Sequence, residues 1–474
     1  MISAEALTAE TGSFRDREGR VYRFDGRIFR GLNKTALENF RKLESTSFYR
    51  KFLETGALVE SRECRPDEVP LPPAVRERWA GFLEHQPITV ISYPYEWTFG
   101  MLRDAAILQL DLLEAAIAED MSLKDATPYN IQFSGGKPVF IDIASFIALE
   151  SGAAWMGYRQ FCEMFLFPLM LQSYKGIDFQ PFMRADINGV DLQTAARLFS
   201  LRDRFRPGVF SHVWLQSKFD RRYGGTQQNV RSSLKSAGFN REMILANVRR
   251  IRKLVTGMKW QGDGSEWAAY AEFHNYTVGD HELKESFIAD CAAESQPRVA
   301  WDIGCNTGQF AKIAAQHAGL VLAMDLDHFA VECLYRELKA ASDCNILPMV
   351  QNVANPSPNW GWQNQERRDL ITRAAPDLVL CLALLHHVVI SANIPLEEFI
   401  AWLARLTPNL VIEYVSRDDD KVKTLLRNKD DDYSDYSREG LEKALQQHFN
   451  IVRQLTLGQG RRHLYWCRLP LQPE

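Results

Sequence analysis

The fold class is α/β in the second half of the chain, an open, mostly parallel sheet of seven strands ending in an antiparallel hairpin. An α+β domain precedes it. Three observations predict this. From about residue 298, short apolar runs alternate with helix-period segments, the pattern of a parallel sheet covered on both faces. A glycine-containing turn, Gly304 to Gly308, follows the first run directly. The last two runs flank "GQG" and read as a hairpin.

Each element follows from local pattern. "RVAWDI" (298–303), "GLVLAMD" (319–325), "NILPMV" (345–350), "PDLVLCLAL" (376–384) and "PNLVIEYV" (408–415) are the five parallel strands. Phe310, Ile313, Ala314 and His317 recur at helical spacing after the first strand; Phe329, Cys333, Arg336 and Leu338 do so more loosely after the second. Pro395 stands at a first helical position before "LEEFIAWLARL". "FNIVRQLTL" and "RHLYWCRL" form the hairpin that closes the sheet.

Composition sets the outer bounds. The chain has 474 residues, enough for two to four domains, with 46% hydrophobic and 24% charged residues, as in ordinary globular proteins. A net charge of −4 gives no global pull toward nucleic acid. Eight cysteines are scattered without a CxxC pair, which argues for reduced thiols rather than a zinc site or disulfide framework. No cationic start with an apolar core follows Met1, and "FCEMFLFPLML" (161–171) is too short to span a bilayer. A buried helix and a cytoplasmic location are expected.

The turn after the first strand indicates a ligand. Ligands of such sheets sit beyond the carboxyl ends of the strands, where strand order reverses. Dinucleotide binders carry G-x-G-x-x-G for a pyrophosphate, whereas this turn is G-x-x-x-G with Asn306 between the glycines. It suits a nucleoside-bearing ligand without pyrophosphate. Asp325 lies 23 residues after Asp302, at the end of the second strand, where a carboxylate can accept both ribose hydroxyls.

At these residues the sequence resembles the Rossmann-like (class I) S-adenosylmethionine-dependent methyltransferases. "DIGCNTGQF" is similar to their first motif, "LAMDLD" to the second, "VQNVAN" to the adenine-cupping position, and "LVLCLALLHHV" to the fourth. The resemblance implies S-adenosylmethionine as cofactor, held by Asp302, Gly304, Asn306, Gly308, Asp325, Leu326, Asn352, Val353 and Leu382. Asn352 stands where many relatives carry Asp. Methyl transfer needs a nucleophile in line with the sulfonium and, for a hydroxyl, a base. His386 and His387 follow the fourth strand and Glu413 ends the fifth. His387 as base, with Glu413 orienting it or touching substrate, is one reading of this catalytic set; packing histidines are the other. Upstream, Tyr276, His274 and Lys284 sit in a lid-and-helix segment (270–293), open to substrate, cofactor carboxylate or solvent.

The first half begins with "VYRFDGRIFRGL", an alternating pair of strands around Asp25-Gly26. "TFGMLRDAAILQLDLLEAAIAEDM" (98–121) is a long apolar helix. In "LKDATPYNIQFSGGKPVFIDIASF", Asp125 and Asn130 are five apart and Asp142 lies twelve further on, past a Gly-Gly turn. This resembles a kinase catalytic loop and its metal-binding strand. The resemblance implies ATP, with magnesium on Asn130 and Asp142 and Asp125 as base. Lys124 stands in place of His-Arg, "DIA" in place of "DFG", and no phosphate loop or pairing lysine precedes them. A live kinase, a substrate- or nucleotide-binding domain, a regulatory pseudokinase module and a plain scaffold stay open. The expected boundaries are 1–255 for this domain, 256–297 for a linker and covering helix, and 298–474 for the methyltransferase domain.

The whole chain also resembles bacterial two-part methyltransferases that include rhizobial host-specific nodulation proteins. "ISYPYEWTFGMLRDAAILQLDL", "LKDATPYNIQF", "YRQFCEMFLFPL" and "DIGCNTGQF" carry this in order. It implies a small-molecule or saccharide acceptor with an O or N nucleophile. Alternatives are a bifunctional kinase–methyltransferase acting on a glycan and a methyltransferase acting on RNA or protein. Residues 202–253 hold thirteen Lys or Arg against three acids, either a solvated face or a surface for an anionic ligand. Trp214, Trp260 and Trp267 read as core or as sugar-stacking rings. "RDDDKVK" (417–423) and "KDDDYSD" (429–435) read as surface loops or as a lid over the substrate.

Overall fold

The computed structural model describes residues 8–150, 155–223, 241–260, 262, 278–341, 345–427, 429–430 and 433–470. The chain divides into two compact units. One comprises 1–261 with 359–367, the other 262–358 with 368–474. The segment 359–367 thus belongs to the first unit although it lies inside the second in chain order.

In the first unit, a five-stranded antiparallel sheet has the order β1-β2-β3-β5-β4. Its strands are β1 (Thr8–Ala9), β2 (Gly19–Phe24), β3 (Arg27–Leu32), β4 (Ser61–Cys64) and β5 (Gly81–His85). Asp25 and Gly26 both have positive φ (48° and 68°), the two-residue turn whose twist matches the strands it joins. The apolar stretch 98–121 forms the helix Phe99–Ala118, capped by the Thr98 hydroxyl, which accepts the Met101 N–H at 3.2 Å. That helix is buried around most of its circumference, so its apolar residues need no single stripe. Two short ribbons follow, β6 (Met121–Leu123) with β9 (Phe146–Ala148), and β7 (Ile131–Ser134) with β8 (Lys137–Phe140). The stretch 161–171 is buried helix, a π turn over Cys162–Leu166 continuing into Phe167–Lys175.

The second unit is built on β10 (Val299–Ile303), β11 (Leu320–Asp325), β12 (Ile346–Val350), β13 (Leu378–Cys381), β14 (Asn409–Val415), β15 (Asn450–Leu457) and β16 (Arg462–Arg468). Their order is β12-β11-β10-β13-β14-β16-β15. All pairings among β10 to β14 are parallel, and β16 runs antiparallel to both β14 and β15. Seven strands with a closing antiparallel hairpin are therefore present as expected. Helix Val278–Ser295 contributes Phe287, Ile288 and Cys291 to the core against Ala300, Val321 and Leu334. Because β11 and β13 flank β10 on opposite sides, the sheet's topological switch lies at the carboxyl end of β10.

Two local expectations are corrected. Pro395 is the N-cap of helix Leu396–Leu406, not its first helical residue; its fixed φ serves equally well one position earlier. The stretch 417–423 is not a loop throughout. Asp419 caps the helix Asp420–Leu426 through the Lys421 N–H and is 4% exposed, since Arg462 draws it inward. All described cysteines are free, and no described helix is long and apolar enough to cross a membrane.

Candidate functional site

The turn after β10 is held by backbone bonds that glycine makes feasible. The N–H groups of Gly304 and Cys305 both donate to the Met324 carbonyl, at 2.8 and 3.0 Å. Gly304, Asn306 and Gly308 are left-handed (φ 78°, 50° and 80°). A Cβ on Gly308 would lie 2.7 Å from both Leu334 methyls, so helix Gln309–Ala315 can approach its neighbour only with glycine there. Asp325 ties the turn to β11: its Oδ2 accepts the Asn306 N–H at 2.8 Å and its Oδ1 the Asp327 N–H at 2.9 Å.

These groups border a cavity of about 830 Å³. Gly304, Asn306, Asp325, Leu326, Asn352, Val353 and Leu382 all line it, so most of the expected cofactor set converges there. Asp302 lies beneath the turn, 1% exposed, and Gly308 serves packing. Burial raises the Asp302 carboxyl to about 7; the charge of Asp325 adds to the rise, while Lys284 and the Ala311 N–H oppose it. Burial raises Asp325 as well. Asp302 Oδ2 and the lining residue Gln351, through Nε2, present buried polar atoms with no hydrogen-bond partner among the described residues. Asn352 Oδ1 accepts the Ala354 N–H at 2.9 Å, which fixes the bend at the end of β12.

The catalytic candidates separate. His387 lines the cavity at the start of a π turn, His387–Ser391. His386 is outside the lining and 4% exposed, its ring centroid 4.3 Å from that of His387. Burial lowers both imidazoles, His386 to about 3. Glu413 is fully buried and accepts the Lys284 ammonium at 2.6 Å and an Arg462 N–H at 3.0 Å. Arg462 also reaches Asp419 at 3.3 Å. Lys284 and Arg462, unlike Glu413, line the cavity, and the Lys284 ammonium sits 4.5 Å from the centroid of Phe310. Arg462 was not legible as a site residue. The signal for it was an acid inside the apolar run "VIEYV", because a carboxylate buried in a parallel strand requires cations nearby. Tyr276, His274 and Trp267 lie outside the described residues.

No family model matches the chain. The nodulation protein NoeA of Rhizobium meliloti (strain 1021) is 33% identical over 457 residues, which span 96% of this chain and 94% of that protein. The chain belongs to the NoeA family. Among solved structures, the N-methyltransferase NodS from Bradyrhizobium japonicum WM9 is similar over 41% of this chain and 98% of its own, at 13% identity and a TM-score of 0.31. The bifunctional kinase-methyltransferase WbdD is similar over 44% of this chain and 42% of its own, at 14% identity and a TM-score of 0.31.

In the first unit of this NoeA-family chain, one of the three residues in kinase-like spacing, Asp142, is engaged by a cation. Asp142 follows β8 and pairs with Arg30 of β3. Lys124 donates to Glu18 at 2.7 Å and to Asp16 at 3.4 Å. Burial raises Asp125 to about 6, with the charge of Asp142 adding to it. Asn130 ends a 3-10 turn, Pro128–Asn130, with its Nδ2 buried and without a partner among the described residues. No group of three or more His, Cys, Asp or Glu among the described residues is arranged for a metal. In the basic stretch, 224–240 lie outside the described residues; Trp214 sits under two cations, and Trp260 packs on Phe99 at 6.3 Å.

Proposed function

We propose that the second unit is a methyltransferase dependent on S-adenosylmethionine and acting on an oxygen or nitrogen nucleophile of a small molecule or saccharide. The left-handed turn 304–308, tied to Asp325 at the switch point and open to the cavity, carries this reading. The donor set suits such a ligand. Each Asp325 oxygen accepts one N–H noted above and keeps a second lone pair for a ribose hydroxyl. The buried neighbouring acids Asp302 and Asp325 favour a positive charge, and Lys284 and Arg462 offer cations to a carboxylate. Leu326, Val353 and Leu382 supply flat apolar contact for a base. When bound, S-adenosylmethionine supplies a methyl group already activated by its sulfonium.

His387 is then the base. Its lowered pKa keeps the imidazole neutral near pH 7, ready to take a proton from an acceptor hydroxyl or amine. His386 positions it from behind, and Glu413 acts as the counter-charge that holds Lys284 and Arg462 at the cavity wall. Titration calorimetry with S-adenosylmethionine and its demethylated product tests the reading. The parent protein takes up both, and Asp325→Ala weakens uptake about 100-fold through two lost charge-assisted hydrogen bonds. His387→Ala leaves uptake near normal, while transfer of labelled methyl into a metabolite extract falls roughly 10²–10⁴-fold. No uptake by the parent would remove the proposal.

For the first unit, the reading is a kinase-like module that binds acceptor or partner and does not transfer phosphate. The Arg30 guanidinium occupies the carboxylate that a magnesium nucleotide would need, so these residues as arranged do not fit that group. Magnesium-dependent ATP hydrolysis by the full chain, abolished in Asp142→Ala, would overturn this.

A further inference from the structure

Residues 201–219 of the first unit expose an unusual set of side chains. Phe205 is 93% exposed, Leu201 68% and Phe210 50%. A 3-10 turn, Arg202–Phe205, holds Phe205 at its end, with Arg204 and Arg206 on either side in sequence. Behind it, Arg204 lies 3.5 Å from the Trp214 ring centroid and the Lys218 ammonium 3.8 Å from the same ring. Phe210 stacks on Trp214 at 5.8 Å, so the cations and apolar groups form one continuous patch.

The positive charge of the patch exceeds its negative charge. Asp203 is 7% exposed, accepting the Ser200 N–H and hydroxyl, both at 2.7 Å, and the Lys175 ammonium at 3.0 Å; it also lies 3.8 Å from the half-exposed Arg206, while Arg202 and Lys218 are exposed. Asp220 accepts from Gln193 at 3.3 Å and lies 3.9 Å from Arg159. A phenyl ring left in water forgoes about 1.5–3 kcal/mol of burial, and two cations on one indole repel each other. Both costs are relieved by a surface that is apolar inside and anionic at its face.

We propose that this patch docks the protein on an anionic lipid bilayer, with Phe205 and Leu201 entering the headgroup boundary and the surrounding Arg and Lys meeting lipid phosphates. An apolar tip ringed by cations is the arrangement of interfacial insertion. Single-stranded nucleic acid fits less well, since base stacking needs an open aromatic face and Trp214 is already covered by Arg204 and Lys218.

The test is flotation of the full chain with vesicles of phosphatidylcholine alone and of phosphatidylcholine with phosphatidylglycerol. Binding is expected only to the second, weakening as salt screens the charges. Phe205→Ser should weaken partition about tenfold. Arg202→Ala with Arg206→Ala should weaken it about fivefold for each charge removed. All three side chains lie at the surface, and unchanged circular dichroism would exclude misfolding. Equal partition to both vesicle types, no partition to anionic vesicles, or variants that bind like the parent would overturn the proposal. So would light scattering showing a dimer that Phe205→Ser dissociates, or RNA retention with the same variant sensitivity and no vesicle binding.

Discussion

Two acidic clusters, one in each unit, each hold an acid raised by burial and a neighbouring carboxylate, but they meet different partners. In the first unit, Asp142 is answered by Arg30, and Lys124 by Glu18 and Asp16. In the second, Asp302 and Asp325 stand at the ends of neighbouring parallel strands and receive backbone N–H groups, while the nearby Lys284 ammonium is bonded to Glu413. Topology explains the difference. A parallel sheet gathers its carboxyl ends on one edge, so acids there lie side by side at the edge where ligands of such sheets sit. In the first unit two separate sheets meet: β3 of the five-stranded sheet delivers a guanidinium to the acid that follows β8 of a two-stranded ribbon.

The largest effect belongs to the self-neutralised charges of the second unit. Glu413→Ala leaves Lys284 and Arg462 in the protein interior without their shared acid, which should cost about 3–5 kcal/mol. Hydrogen exchange at the β14 amides reads this unit alone. A loss below about 1 kcal/mol would mean that Asp419 alone holds Arg462 and that Glu413 is dispensable.

The buried neighbouring acids give the next effect, as a pH dependence. The Asp302 pKa rises from 3.8 to about 7 on folding, so between these values the native state binds a proton that the unfolded state has released. Stability therefore falls as pH rises through that window, by up to about 1.4 kcal/mol per unit, and is flat for this group outside it. Asp302→Asn should remove the slope. A cationic ligand favours the carboxylate, so its uptake should release protons below about pH 7 and tighten as pH rises. Calorimetry in buffers of different ionisation enthalpy measures that release; a proton count of zero would contradict the assignment.

Much of the second unit was legible because buried parallel strands write themselves as apolar runs. "RVAWDI" and "GLVLAMD" contain β10 and β11 in full, and Gly304 and Gly308 marked the turn where φ must be positive. The cavity edge at the β10 and β11 ends is local in sequence, so its residues could be named. The opposite wall is not. Lys284 comes from the helix before β10 and Arg462 from the final hairpin, brought together by Glu413 in a pairing between residues far apart in the chain. The same limit hid the inward turn of Asp419 and the membership of 359–367 in the first unit. In "LKDATPYNIQF", spacing alone gave a kinase-like triad. That Arg30 of β3 meets Asp142 depends on a contact spanning more than a hundred residues, which spacing does not encode.

That contact supports the smallest prediction and the sharpest test of the comparison. Arg30 and Asp142 are partly exposed, so Arg30→Gln should cost only about 1–2 kcal/mol, less than the fully buried Glu413 network. Its electrostatic effect should be clearer. With the guanidinium gone, no cation from β3 offsets the charge that Asp142 puts beside Asp125, and the Asp125 carboxyl should climb above its present value of about 6, visible in its carbon-13 titration. Magnesium then competes for Asp142 without an internal cation in its way. If Arg30→Gln takes up magnesium–ATP where the parent does not, one side chain separates the two kinds of cluster. If neither protein does, the first unit's acids are structural whatever their charge state.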